Sequence, residues 1–202
     1  MITLPASDDE KLRQILKLET GQFSEEELEI ALIVVPDLFD PAPFFCGRQL
    51  PVESGVLDLF GLVGKRPFRY GFHVDPDVVW GDSFPTVYEL KARKIRREHI
   101  AQVLDYALAI SEMSAEDMTW HLVRYSGGDG TGIGRIWDPK GLKKLIQDAW
   151  GHYKFTSRVV VGTGYDASVV RLAEHAEVEL YTVSELCRGW RERRSGQPNL
   201  LD

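Results

Sequence analysis

Cysteine is scarce in this chain of 202 residues, which contains only Cys46 and Cys187. Two cysteines so far apart in sequence support neither a disulfide framework nor a zinc site of the CxxC type. Long apolar runs are also missing, since no stretch approaches the roughly 20 apolar residues that a membrane-spanning helix needs. We therefore expect both cysteines to be structural and the protein to have no membrane partner.

The N-terminal segment lacks the layout of a secretory signal. Residues 1–17 are amphipathic and their first charged residues are acidic (Asp8, Asp9 and Glu10), whereas a signal is basic and then apolar. A cytoplasmic location is the resulting expectation. The chain is long enough for one well-buried α/β domain, and no linker, repeat or low-complexity tract divides it. We expect a single domain over residues 1–202.

Positive charge is in deficit, with 24 Lys and Arg against 31 Asp and Glu and a formal net charge of -7. Such a balance is unusual for a protein that grips nucleic acid through phosphate contacts alone. The bases are unevenly spread, however, and five of them crowd into one basic stretch: Lys91, Arg93, Lys94, Arg96 and Arg97. We expect any phosphate contact there, and the alternative is a solvated connection between two elements.

The first half of the chain predicts two helices and then strands. Ser7-x-x-Glu10 and Ser24-x-x-Glu27 are capping boxes that predict helices over about 8–18 and 24–35. Runs rich in β-branched and aromatic residues then predict three successive strands. These strands are expected at 56–63, within 68–79 and at 86–90. Three strands in succession indicate an antiparallel meander.

The second half predicts alternating helices and strands. Apolar residues between Ile100 and Leu108 recur with the spacing of one helix face. The remaining predictions are a strand at 119–125, a helix at 141–153, a strand at 158–161, a short helix, a strand at 178–183 and a final helix. The order favours an α/β fold with a mixed sheet flanked by helices.

The glycine-rich run at 127–134 is the obvious place to look for a phosphate-binding loop. It fits neither GxGxxG nor GxxxxGK(S/T), the two spacings that cradle phosphates at the start of a helix. A hairpin tip is the better interpretation. A nucleotide-directed hydrolase is therefore disfavoured.

Glu89 and Lys91 carry the clearest chemical pattern. They are two residues apart on the expected strand, so their side chains project from one face while Leu90 enters the core. Phosphodiester hydrolysis needs acids to hold a divalent cation, and a positive group to orient water or to stabilise charge on phosphorus. The pattern also fits a solvated ion pair.

Three short motifs together resemble the PD-(D/E)xK nuclease superfamily, also called restriction-endonuclease-like. They are Gly55-Val56-Leu57-Asp58-Leu59-Phe60, Val87-Tyr88-Glu89-Leu90-Lys91-Ala92 and Gln102-Val103-Leu104-Asp105-Tyr106-Ala107. Prokaryotic members with a Q-x-x-x-Y helix have this order of an acid, an E-x-K pair and a glutamine. The resemblance covers about residues 24–125, and 139–195 is similar to the strand, helix, strand tail of some members.

The resemblance implies a restriction-endonuclease-like core and a metal-dependent nuclease that uses a metal-activated water. By this resemblance Asp58 and Glu89 would bind Mg²⁺ or Mn²⁺, Lys91 would position the water, and Gln102 would support the site from its helix. Glu29, or Glu25 one turn earlier, would match a glutamate of the first core helix. An acidic helix N-terminus explains these two glutamates equally well.

The upstream metal ligand is open between two aspartates. Asp77, in a literal Pro76-Asp77, also precedes Glu89. Asp58 is favoured because it lies within an apolar strand, whereas the surroundings of Asp77 are also typical of a turn. If Asp77 is the ligand, 52–63 becomes the preceding strand.

Two functions of different class follow. The first is a nuclease acting on nucleic acid, with DNA expected and RNA still open. The second is a catalytically silent subunit of the same fold that binds a partner protein, favoured by the net charge of -7. A homodimer is a further expectation, because it would help a small acidic domain to hold two strands.

Overall fold

The computed structural model describes residues 6–64, 83–125, 139–152 and 156–195. Its helices are α1 (Asp8–Glu19), α2 (Glu25–Val34), α3 (Arg97–Glu112), α4 (Ala115–Tyr125), α5 (Pro139–His152), α6 (Ala167–His175) and α7 (Val183–Ser195), with a 3-10 turn at Pro36–Leu38. Its strands are β1 (Phe44–Val52), β2 (Gly55–Gly64), β3 (Ser83–Leu90), β4 (Ser157–Gly162) and β5 (Glu179–Thr182).

The five strands form one mixed sheet in the order β1-β2-β3-β4-β5. The pairs β1–β2 and β2–β3 are antiparallel, and the pairs β3–β4 and β4–β5 are parallel. Helices cover both faces of this sheet, so the expected α/β class is confirmed. Along the chain α2 is followed by the meander β1–β3 and by α3, and β4 comes only after α4 and α5.

Local sequence fixes the first two helices as expected. The Ser7 side chain accepts a hydrogen bond from the Glu10 backbone N–H at 3.2 Å and so caps α1. A reciprocal capping box begins α2, because Ser24 and Glu27 each bind the other's backbone N–H, at 3.1 and 2.7 Å. Such caps satisfy backbone donors that have no partner within the helix.

The sheet separates two apolar layers. One layer lies under α3, α4, α5 and α6 and includes Val87 and Val160, and the other lies under α1, α2 and α7 and includes Tyr88 and Leu90. Successive side chains of β3 thus enter opposite layers, as the pleat of a strand requires. Because both layers are covered, the end of β3 is a place where polar groups can be held away from water.

The segment 119–125 is a helix, and the predicted strand there is wrong. Its aromatic and β-branched residues suit a strand, but Met118 and Leu122 lie one turn apart on α4 and are 0% and 1% exposed. The Ser114 side chain also accepts from the Asp117 backbone N–H at 3.1 Å, which caps the helix. Helical burial therefore overrides strand propensity at this position.

Strand β1 was not among the predicted elements, yet it forms the first strand of the meander. The strand predicted within 68–79 lies outside the described residues, as do Asp77 and the glycine-rich run at 127–134. Cys46 and Cys187 are both buried and are not joined by a disulfide, which favours a structural role. None of the helices in the described ranges has the length and apolar character needed to cross a membrane.

Candidate active site

The end of β3 carries Glu89 and Lys91. Glu89 is 0% exposed, and the Lys91 side chain is 12% exposed. The Lys91 ammonium forms an ion pair with Oε1 of Glu89 and lies 3.8 Å from Oε2 of Glu25 on α2. The Lys91 backbone N–H donates to Val161 at 2.8 Å, which continues the pairing with β4 and anchors the segment.

Asp58 reaches the same end of the sheet from β2. The β2–β3 ladder ends at the pair Leu59 and Tyr88, and beyond it Oδ2 of Asp58 accepts the Leu90 backbone N–H at 2.7 Å. The carboxylate thus occupies the place of a ladder carbonyl. This position brings Asp58 alongside the Glu89-Leu90-Lys91 segment, although about thirty residues separate them in sequence.

A second polar group adjoins Asp58. Glu29 on α2 is 3% exposed, and its Oε2 lies 3.0 Å from Nε of Arg48, whose side chain is 7% exposed. Nε2 of Gln49 donates to Oε1 of Glu29 at 3.1 Å and to Oδ1 of Asp58 at 3.3 Å. Gln49 therefore joins the glutamate of α2 to the aspartate of β2.

Burial sets the electrostatics of the acids. Loss of solvation, followed by repulsion from Asp58, raises the pKa of Glu89 to about 7. Burial likewise raises the pKa of Asp58 and of Glu29 above their ordinary values. Burial opposes the charge of Lys91, but the hydrogen bond and charge of Glu89 outweigh it and raise the pKa of this ammonium. The site thus holds more negative charge than its one internal ammonium offsets, a condition that favours cation binding.

Helix α3 supplies Gln102, Tyr106 and His99. Nε2 of Gln102 donates to the Tyr106 hydroxyl at 2.6 Å, and burial raises the pKa of that hydroxyl, to which the charges of Glu89 and Asp58 also contribute. His99 is 5% exposed, and its Nδ1 accepts the Arg96 backbone N–H at 3.1 Å. Gln102 is therefore oriented by Tyr106, whose hydroxyl feels the charges of Glu89 and Asp58, and among the described residues it makes no direct hydrogen bond to either acid.

The acids define an open cleft of about 400 Å³ between α2 and the first three strands. Its lining is strongly acidic and consists of Glu25, Glu26, Glu29, Arg48, Gln49, Asp58 and Leu90. Four carboxylates thus face one guanidinium. A polyanion would enter such a cleft only with cations present.

The donor chemistry suits a hard divalent cation. Within the described ranges no group of three or more His, Cys, Asp or Glu side chains has the closeness of a complete metal cage. Mg²⁺, however, is usually bound by one or two carboxylates and keeps several waters. Oε2 of Glu89 is buried and accepts no hydrogen bond from the described residues. A buried carboxylate oxygen without a donor, beside Asp58, fits such an ion.

The basic stretch lies directly after the site. Arg93, Lys94 and Arg96 are exposed on the connection to α3, and Arg97 is exposed at the start of that helix. The Lys94 ammonium pairs with Asp166, and the Arg96 guanidinium lies 3.9 Å from the Glu98 carboxylate. Positive charge is thus presented to solvent beside the acidic cleft.

The structure brings together most of the residues singled out from the sequence. Asp58, Glu89 and Lys91 meet at the end of β3, and Glu25 and Glu29 border them, while Asp77 lies outside the described residues. Arg48 and Gln49 were not among the residues singled out from the sequence. Their one signal is a pair of polar residues inside an otherwise apolar segment, FFCGRQLPV.

Comparison with known proteins finds no matching family model and no matching curated protein. Two solved structures are similar. A structure of the EndoMS-dsDNA2 complex has a TM-score of 0.46 and 16% identity, and the match covers 79% of this chain and 44% of that chain. A repair endonuclease from Pyrococcus abyssi has a TM-score of 0.44 and 16% identity, with 80% and 48% covered. This chain thus spans less than half the length of either structure.

Proposed function

We propose that the protein is a nuclease that hydrolyses phosphodiester bonds with Mg²⁺ or Mn²⁺, with DNA as its expected substrate. One observation carries the proposal. Asp58 of β2 accepts the Leu90 backbone N–H beside Glu89 of β3, burial and the charge of Asp58 raise the pKa of that glutamate, and the Lys91 ammonium pairs with Glu89. Two acids and one ammonium that lie close together are the groups that this hydrolysis requires.

Asp58 and Glu89 would hold the cation, because the half-buried Asp58 and the buried Glu89 are the two strand acids that adjoin Leu90. A bound Mg²⁺ or Mn²⁺ would supply Lewis-acid stabilisation of a phosphoryl oxygen and lower the pKa of water. Lys91 is anchored by its backbone and charged, so it can orient a water or stabilise negative charge on the phosphate. Gln102 supports the site from α3 in the orientation that Tyr106 fixes.

Substrate approach follows from the distribution of charge. The acidic cleft repels phosphates, whereas the exposed basic stretch beside it attracts them. We therefore infer that the strand to be cut lies along the basic stretch, with one phosphate over the acids. Binding through such contacts weakens as the salt concentration rises.

The test is cleavage by the purified protein of plasmid, single-stranded DNA and RNA in Mg²⁺ or Mn²⁺. Lys91→Ala and Glu89→Ala should each lower the rate by about 100-fold or more, as expected for loss of a charge-stabilising group. Lys143→Ala is the matched control, since Lys143 is a cation on α5 that pairs with Glu116 at 3.5 Å. Equal rates in all four proteins would reject the proposal.

The alternative, a silent subunit that binds a partner protein, has one observation in its favour. The Lys91 ammonium already pairs with Glu89, and such a pair can replace a cation. A silent subunit would show no cleavage and no heat of Mn²⁺ binding, and would run in a larger complex on gel filtration of native lysate. Cleavage that depends on Lys91 would eliminate it.

A further inference from the structure

Gln49 departs from the geometry of the strand that contains it. Its φ is 48°, in the left-handed region, which glycine adopts readily and glutamine rarely. The residues on either side keep their places in the ladder, with Arg48 opposite Leu59 and Leu50 opposite Leu57. A strained residue within an intact strand points to a role for its side chain.

The strain turns two consecutive side chains toward one carboxylate. On a regular strand neighbouring side chains point to opposite faces. Here Nε of Arg48 lies 3.0 Å from Oε2 of Glu29, and Nε2 of Gln49 donates to Oε1 of the same group at 3.1 Å. The left-handed conformation thus lets the Gln49 side chain reach the Glu29 carboxylate, which a regular strand conformation would place on the opposite face.

The same amide nitrogen also holds Asp58. A carboxamide nitrogen carries two hydrogens, and those of Gln49 serve Glu29 at 3.1 Å and Asp58 at 3.3 Å. The other oxygen of Asp58 accepts the Leu90 backbone N–H at 2.7 Å. Both oxygens of Asp58 are therefore fixed, and each keeps a further lone pair for a ligand.

We propose that Gln49 is a positioning residue that links Glu29 to Asp58 and fixes the orientation of Asp58 for cation binding. This inference rests on the proposed function, since it assumes that Asp58 is a metal ligand. A neutral amide with two donors suits the position, because it draws together two carboxylates that would otherwise repel each other. Glutamate here would add a third negative charge and donate nothing.

Two variants separate the side chain from the backbone strain. Gln49→Asn keeps an amide and tolerates the left-handed conformation, but it is one methylene too short to span both acids. Gln49→Gly removes the strain together with the side chain. Gln49 is exposed, so neither variant opens a cavity in the core, and urea unfolding checks that each variant is folded.

Calorimetric titration with MnCl₂ is the deciding measurement. We expect each Gln49 variant to bind Mn²⁺ about 10- to 100-fold more weakly, the usual effect of removing a group that orients a metal ligand. In cleavage assays the lost rate should return at high Mg²⁺ concentration, because the chemistry itself is unchanged. Gln147→Asn, at an exposed glutamine of α5, should bind Mn²⁺ like the unmodified protein.

The outcomes distinguish this inference from the nuclease proposal. Unchanged Mn²⁺ affinity in both Gln49 variants, in a protein that cleaves, would overturn the positioning role alone. Weakened affinity in a protein that cleaves nothing would support the positioning role and overturn the nuclease. Absence of Mn²⁺ binding by the unmodified protein would overturn both.

Discussion

Replacing Glu89 by glutamine should stabilise the metal-free protein above pH 7. Glu89 is 0% exposed and next to Asp58, so its charged form is costly in the folded state. Glutamine has nearly the same shape as protonated glutamate and cannot ionise. The variant therefore keeps the packing of the site and removes the penalty of the buried charge.

The magnitude follows from the pKa of Glu89, which burial raises from 4.5 to about 7. Each pKa unit corresponds to about 1.4 kcal/mol, so the charged side chain lowers the free energy of unfolding by about 3 kcal/mol. Because the pKa is higher in the folded state, the neutral form's contribution is fully present below pH 4.5 and is lost as the pH rises through about 7.

Urea unfolding in EDTA between pH 4.5 and pH 8 measures this effect. The stability of Glu89→Gln minus that of the unmodified protein should rise from near zero to about 3 kcal/mol over this range. Glu112→Gln, at an exposed glutamate of α3, is the control and should differ by less than about 0.5 kcal/mol throughout. A difference that is independent of pH, or a variant less stable at pH 8, would show that the charge of Glu89 does not destabilise the folded protein.

Two further substitutions test the support of the site. Arg48→Met leaves the buried Glu29 carboxylate without the guanidinium that lies 3.0 Å from it. Urea unfolding at pH 7.5 should show a free energy of unfolding that is lower by about 3 kcal/mol. Adding Glu29→Gln should recover part of this loss, and no recovery would contradict the pairing. Gly162→Ala would bring a Cβ to 2.6 Å from Ile95 and 2.8 Å from the Arg93 carbonyl oxygen. This crowding should lower the free energy of unfolding by about 1 to 3 kcal/mol, which a lower melting temperature would report. An unchanged melting temperature would show that the segment after Lys91 shifts to accommodate the methyl group.

Many of the helices and strands can be predicted from the sequence, because local residue patterns indicate where they begin and which face they bury. The capping boxes at Ser7 and Ser24 begin α1 and α2, and the apolar spacing in α3 shows its buried face. Strand propensity gave a wrong prediction at 119–125. This segment is rich in residues that favour strands, but burial of Met118 and Leu122 makes it a helix. The cap at Ser114 was a signal that could have corrected this prediction.

Only part of the site could be predicted from the sequence, for a similar reason. The spacing of Glu89 and Lys91 predicts that their side chains lie on the same face, because side chains two residues apart on a strand project to the same side. No such rule relates Gln49 to Glu29, which lie 20 residues apart in sequence and meet through a left-handed backbone. A conformation that glutamine rarely adopts cannot be inferred from propensity, and β1 itself was missed because glycine, arginine and proline interrupt its apolar run.

The central claim is that Asp58 and Glu89 hold one divalent cation at the end of β3. Anomalous diffraction from a crystal soaked in MnCl₂ tests it most directly. We expect one Mn²⁺ peak within about 2.5 Å of a carboxylate oxygen from each acid, with the Lys91 ammonium moved from Oε1 of Glu89. A crystal with no peak there, and with the Lys91–Glu89 ion pair intact at saturating Mn²⁺, would contradict it.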